Sequence, residues 1–224
     1  NFAHDRPEPG ETDWRGLSRF RPELQLELKA KFSDAWRAQM IGKTYYDAVF
    51  EIRGRDQFTD EVLDNRENDA EFGESYILGS ITDKLDIRSG RQIVVWGKSD
   101  NIRITDVLNP LDLREPGLVD IEDLRLPVTM TRIDYYLGGW NLSGLFLHEI
   151  RFNKRPAYGS DFFVGRHPPP PEVKPSDAAH NTEFGAALNG IFSGWDVAFY
   201  FADHFNKRPH QETRGDGLKA LKHA

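Results

Sequence analysis

The residues most suggestive of chemistry fail on spacing. Gly97, Lys98 and Ser99 follow an apolar run as the end of a phosphate-binding loop would, but the preceding glycine is Gly90, seven residues back from Gly97 instead of five. His148-Glu149 and Asp203-His204 have the residue types of acid–base pairs. Each pair is adjacent on a strand-like run, where neighbours point to opposite faces, so neither is a ready dyad. Ser143 and His148 share one run but stand too far apart to touch. Asp100, Asp106, Asp112, Asp120, Glu122 and Asp123 form an acidic stretch without the spacing or glycine of a calcium-binding helix–loop–helix, and it reads as a solvated loop. No catalytic residue, metal ligand or cofactor is assigned, and the chain is read as a non-enzyme.

What remains is charge arranged on a face. Between residues 19 and 32 the even positions are Phe20, Pro22, Leu24, Leu26, Leu28, Ala30 and Phe32. The odd ones include Arg19, Arg21, Glu23, Glu27, Lys29 and Lys31. Strict period two makes a strand with one apolar and one charged side. Its length exceeds the usual five or six residues of a globular strand. After the turn at Ser33-Asp34 a second strand, read as reaching Phe50, carries Trp36, Ala38, Met40, Tyr46 and Ala48 in one phase. Arg37, Lys43 and Asp47 occupy the other phase. Arg19, Arg21, Glu23, Glu27, Lys29, Lys31, Arg37, Lys43 and Asp47 are therefore expected to line one polar wall. Arg91 joins them if a β-bulge at Ser89-Gly90 shifts its phase away from Leu85 and Ile87.

The elements that must hold this wall recur. SDAWRA, TDKLDI, GGWNLS and SGWDVA place Trp36, Leu85, Trp140 and Trp195 at one position after each of four short turns. Hairpins are expected at about 19–50, 75–96, 128–151 and 182–204, separated by long loops at about 51–72, 97–127 and 152–181, with no periodic helix between them. The tetraproline at 168–171 stiffens the last of these loops. Long alternating strands, short turns at one end and long loops at the other describe an antiparallel up-and-down transmembrane β-barrel. Tryptophans beside the turns suit an interfacial girdle, and Trp96 is expected in the opposite girdle. The alternative is a soluble sandwich with those aromatics in its core.

Composition agrees. The 224 residues are 38% hydrophobic and 29% charged, yet 12% aromatic, which suits half-buried strands better than disorder. With no cysteine, disulfides and thiolate metal sites are excluded. A net charge of −7 argues against nucleic acid as a partner. Residues 1–18 and 206–224 both fall on the long-loop side, so a strand is expected before the first residue and more after the last, the whole being a segment of a larger barrel.

Gly90-Arg91-Gln92, Trp96-Gly97-Lys98, Asp106-Val107, Asn109-Pro110, Asp112 and Leu126-Pro127 resemble a large proteobacterial family of outer-membrane barrels long filed as a domain of unknown function. Its genes often sit beside RND-type (MmpL-like) exporters. The resemblance is strong over residues 85–137 and brings no catalytic residues. It implies an envelope transport role, for lipids or other hydrophobic compounds. The expectation is an outer-membrane porin-like channel or the outer component of a transport system. Its partners would be outer-membrane lipid, lipopolysaccharide and other envelope proteins. A non-conducting accessory barrel is the first alternative, and an outer-membrane enzyme the second. The loop over 97–126 is expected to fold against the barrel mouth or into the lumen, because Ile102, Ile104, Val107, Leu108, Leu111 and Leu113 would not be left exposed.

Overall fold

A computed structural model describes residues 2–3, 12–97, 105–120, 123–165, 167–176, 181–213 and 219–223. The strands are β1 (Phe2–Ala3), β2 (Gly16–Leu17), β3 (Glu23–Lys31), β4 (Trp36–Tyr46), β5 (Asn68–Phe72, inside the expected loop 51–72), β6 (Ser75–Thr82) and β7 (Leu85–Gln92). Then come β8 (Val128–Leu137), β9 (Trp140–Leu147), β10 (Glu172–Val173), β11 (Glu183–Phe192), β12 (Trp195–Asp203), β13 (His210–Thr213) and β14 (Lys219–Lys222). The principal sheet is an antiparallel meander in the order β12-β11-β9-β8-β7-β6-β4-β3, with β5 also paired to β4. It is not closed: β3 and β12 are its two edges. Two small sheets, β1-β2 and β10-β14-β13, lie apart from it.

The first hairpin is shorter than the alternation suggests. Regular pairing starts at Glu23, one residue after Pro22, which has no N–H to give. At the other end, Ala48 and Phe50 keep the apolar phase but leave the strand. The Asp47 carboxylate accepts the N–H groups of Phe20 (2.9 Å) and Val49 (3.3 Å), and the chain turns into helix α1 (Val49–Arg53). Phe50 is fully buried against Trp14 and Phe58 in a small satellite core. A second short helix, α2 (Asp60–Arg66), contributes Val62 and Leu63 to that core. β5 then pairs with the loop-end half of β4, and β6 with its turn-end half.

Register separates two faces across all eight long strands. Direct partners share a face, so Leu28 lies with Met40, Ile77 with Ser89, Tyr135 with Leu142, and Leu188 with Phe199. On this outer face the charged side chains of the meander are Arg91 and Asp203, each at the loop end of its strand. Phe20, Leu24, Leu26, Leu28, Met40, Tyr46, Phe184, Phe199 and Phe201 are exposed, Leu26 by 66%, while Leu188 and Val197 are half-buried. None packs between two sheets, so the sandwich has no support. Trp36, Leu85, Trp140 and Trp195 all fall on this face beside the short turns. Two indoles lie flat on glycines of the next strand: a Cβ at Gly79 would stand 2.4 Å from the Trp36 ring, and one at Gly190 2.7 Å from that of Trp140.

The inner face is split. Across β3 and β4 it is charged and open. Across β8, β9 and β11 it buries Met130, Leu145, Leu147 and Ala187 under Val94, Trp96 and Leu108. Trp96 therefore turns inward and stacks on Tyr200 with ring centroids 5.1 Å apart, rather than standing in an outer girdle. The strand ends at Gln92, and Asn109 draws the following segment over the inner face. Its Oδ1 accepts from the Val94 N–H (2.8 Å), and its Nδ2 donates to the carbonyls of Gln92 (3.2 Å) and Leu126 (2.9 Å). The loop is thus folded onto the sheet over its described residues. Ile102 and Ile104 lie outside them.

Candidate functional site

The site is built where this loop meets the charged half of the inner face. From Leu108, seated in the apolar core under β8, β9 and β11, only seven residues carry the chain to Glu115. There it meets arginines beside β3 and on α2. The segment is a chord from one part of the wall to another. Its two legs hold each other: the Leu126 N–H donates to the Pro110 carbonyl (2.8 Å), that of Asp112 to Leu124 (2.7 Å), and Arg125 pairs with Asp106 at 2.8 Å.

At the charged end one carboxylate gathers three guanidiniums. Glu115 accepts two hydrogen bonds from Arg21 (2.7 and 3.1 Å) and one from Arg66 (2.7 Å), with Arg19 at 3.5 Å. Arg66 follows buried Val62 and Leu63 by four and three positions, so α2 aims all three the same way. Its guanidinium sits over the rings of Trp14 (4.9 Å) and Phe162 (5.4 Å) and also pairs with Asp161. Burial pushes the Glu115 carboxyl up, but the charges of Arg66, Arg21 and Arg19 outweigh it and hold it below the ordinary glutamate range.

A second cluster flanks the first. Arg114 forks onto Asp112 (2.9 and 3.0 Å), pairs with Asp69 of β5 at 2.8 Å and donates to the Tyr45 hydroxyl at 3.2 Å. Lys154 bridges Asp69 (2.7 Å) and Glu71 (3.5 Å). Burial disfavours charge on both Asp112 and Arg114, yet their mutual pairing lowers the carboxyl and raises the guanidinium. Between the chord and β3–β5 lies a cavity of about 290 Å³. Six arginine or lysine and six aspartate or glutamate residues line it, with Val119, Leu124, Leu126 and Pro127 at one side.

The residues picked from sequence divide into four groups. Glu23, Glu27, Lys29, Lys31, Arg37 and Lys43 share the inner face through the β3–β4 register, Lys31 opposite Arg37 and Gln25 opposite Lys43. Arg19 and Arg21 precede the strand and serve the Glu115 cluster. Asp47 lines no open wall: it is wholly buried at the strand end, 3.3 Å from Arg21 Nε. Arg91 is on the outer face, because the ladder runs unbroken from Ser75↔Arg91 to Ser80↔Asp86 and the irregularity falls at Ser80/Thr82 instead. Its guanidinium reaches past the strand end to the Pro127 carbonyl (3.2 Å) and Glu149 (3.7 Å).

Of the residue pairs first weighed for catalysis, His148 bonds Thr131 (2.9 Å) while Glu149 accepts from Thr129, so the two diverge. The Ser143 hydroxyl is buried on Asp134 and Asn141. Asp106 and Asp112 are engaged by Arg125 and Arg114, and Asp100 and Glu122 lie outside the described residues. Glu115, Arg66, Arg114, Asp69 and Glu71 were not singled out from sequence. The available signal was the polar–apolar alternation Asp69-Ala70-Glu71-Phe72, too short to read as a strand.

An open antiparallel up-and-down meander with an apolar outer face and a loop laid across its inner face has the architecture of a β-barrel wall segment. The chain belongs to a family described as a protein of unknown function (DUF1302), whose profile matches residues 13–220. No curated protein matches it.

Proposed function

We propose that this chain forms the wall and the constriction of an outer-membrane barrel, acting as a porin-like channel or as the outer component of an envelope transport system. The observation that carries this reading is the outer face. An arginine or lysine at the bilayer midplane costs about 2–4 kcal/mol on a barrel's lipid side, and an acidic residue less. Eight strands keep that side free of charge except for Arg91 and Asp203 at the loop end. Turn-side tryptophans supply one interfacial belt. Outer-membrane lipid and lipopolysaccharide would contact this face, and other envelope proteins the loops. The chord across the inner face also suits the rival reading of a plugged accessory barrel.

Two measurements test the proposal. In vesicles with acyl chains brominated at graded depths, the fluorescence of Trp36, Trp140 and Trp195 should be quenched by shallow labels. Absence of quenching at every depth rejects the membrane reading. In planar bilayers the protein should give discrete conductance steps; membrane insertion without conductance selects the plugged barrel.

A further inference from the structure

We infer that the cavity between the chord and β3–β5 is a selectivity site for small hydrophilic solutes that are uncharged or zwitterionic, with Lys43 and Asp123 setting its charge preference. This rests on the channel reading and narrows it. On the β8–β11 side the chord leaves no room: Leu108 and Trp96 lie on Met130, Leu145, Leu147 and Ala187, which are all nearly inaccessible. The cavity lies on the β3–β5 side, and its lining carries cationic and acidic side chains in equal number.

An apolar cargo moving through that volume would face a dozen charged groups without replacing their water. An ion of either sign meets as many repelling as attracting groups. A small polyol or a zwitterion can hydrogen-bond to both kinds, so this lining opposes the hydrophobic cargo that the family resemblance implies.

Most of these charges are neutralised within the protein. Arg21, Arg66 and Glu115 hold one another, as do Arg114, Asp112 and Asp69, and Arg125 is held by Asp106. Lys43, on the β4 wall, and Asp123, on the returning leg of the chord, are both exposed and make no ion pair among the described residues. They present opposite charges to one cavity from two different elements. That arrangement orients a dipolar solute and cancels net ion preference.

Liposome swelling and planar-bilayer recording on the intact protein test this. A neutral sugar and a zwitterionic amino acid should enter several-fold faster than anions or cations of equal size, and a long-chain fatty acid should gain nothing over protein-free vesicles. Under a potassium chloride gradient the protein should discriminate weakly between the ions. Lys43→Glu should raise the cation-to-anion permeability ratio by about fivefold, and Asp123→Lys should shift it as far the other way. Neither residue supports the ion-pair clusters, so both variants should fold, which far-UV circular dichroism verifies. Conductance with a ratio unmoved in both variants overturns the assignment, as does preferential uptake of the fatty acid. Failure to conduct at all removes the channel reading and this inference with it.

Discussion

Replacing Glu115 with glutamine should loosen one end of the chord and leave the other in place. The carboxylate is 7% exposed and meets three arginines, two of them at 2.7 Å. Glutamine keeps the shape and one acceptor oxygen but removes the charge, leaving Arg21 and Arg66 with less compensation in a buried place. Removing one member of a buried pair costs about 3–5 kcal/mol. Asp47 and Asp161 still serve the two arginines, so the lower figure applies. At about 1.4 kcal/mol per decade, a loss near 3 kcal/mol raises the population of the detached segment about 100-fold. Hydrogen exchange should show that acceleration over residues 114–118, little change at Leu108, Asn109 and residues 111–113, which bond to Asn153, Lys154 and Leu124, and none in β8 or β9. Acidification should mimic it. Because the Glu115 carboxyl is depressed in the folded state, its stabilisation is complete above the ordinary glutamate pKa of about 4.3 and is lost as pH falls through the lowered value. The wild-type segment should loosen only below about pH 4, whereas the glutamine variant should be loosened already at neutral pH and keep only the smaller acid transition of Asp112 and Asp69, whose carboxyls are also depressed. Exchange within twofold of wild type, or uniform acceleration through the strands, would refute the two-ended chord.

Other perturbations separate the remaining parts. Asn109→Ala orphans three buried backbone groups at about 1–3 kcal/mol each, so the near-ultraviolet signal of Trp96 should collapse while far-ultraviolet strand content stays. Leu28→Arg should cost about 2–4 kcal/mol in bilayer unfolding, whereas Lys29→Leu, on the opposite face of β3, should cost far less; equal penalties would contradict the assignment of faces. Gly79→Ala places a methyl group where the Trp36 ring lies, and should cost about 1–3 kcal/mol and alter the depth at which brominated lipid quenches that indole.

How far the sequence reached depended on the range of the signal. Alternation is local, so β3, β4, β6, β7, β8, β9, β11 and β12 and their short turns were legible from residue types alone. Residues 47–72 misled because Ala48 and Phe50 continue the apolar phase of β4 by coincidence, while the Asp47 side chain, capping two backbone N–H groups, ends the strand. Arg91 misled for a different reason. A cation in an apolar phase looked like evidence for a bulge, but near a strand end a long side chain can reach the loops and needs no phase shift. The Glu115 cluster could not have been read at all: its partners lie 49 and 94 residues away, and nothing along the chain says which carboxylate meets which arginine.

The open edges carry the last consequence of the architecture. β3 and β12 each expose a row of backbone donors and acceptors along nine residues, and they do not pair with each other. In water such edges invite aggregation. In hydrocarbon each unmet group costs several kilocalories per mole, far beyond what the outer face could offset, so a bilayer-embedded form must pair both edges. Direction limits how. β3 runs toward the short-turn end and β12 away from it, so an up-and-down barrel can place only an even number of further strands between them. Zero is the eight-stranded closure, which would leave an interior only wide enough for side chains. The inner face already holds the chord, its 290 Å³ cavity and the charged side chains of β3 and β4. At least two more strands should therefore separate the edges. With no native cysteine, Leu26→Cys and Phe201→Cys can be introduced together on the same outer face. In proteoliposomes they should form no intramolecular disulfide under mild oxidation, since bridging requires Cα atoms within about 7 Å. A high-yield intramolecular bridge would mean that these two strands close on each other and that the wall is a complete small barrel.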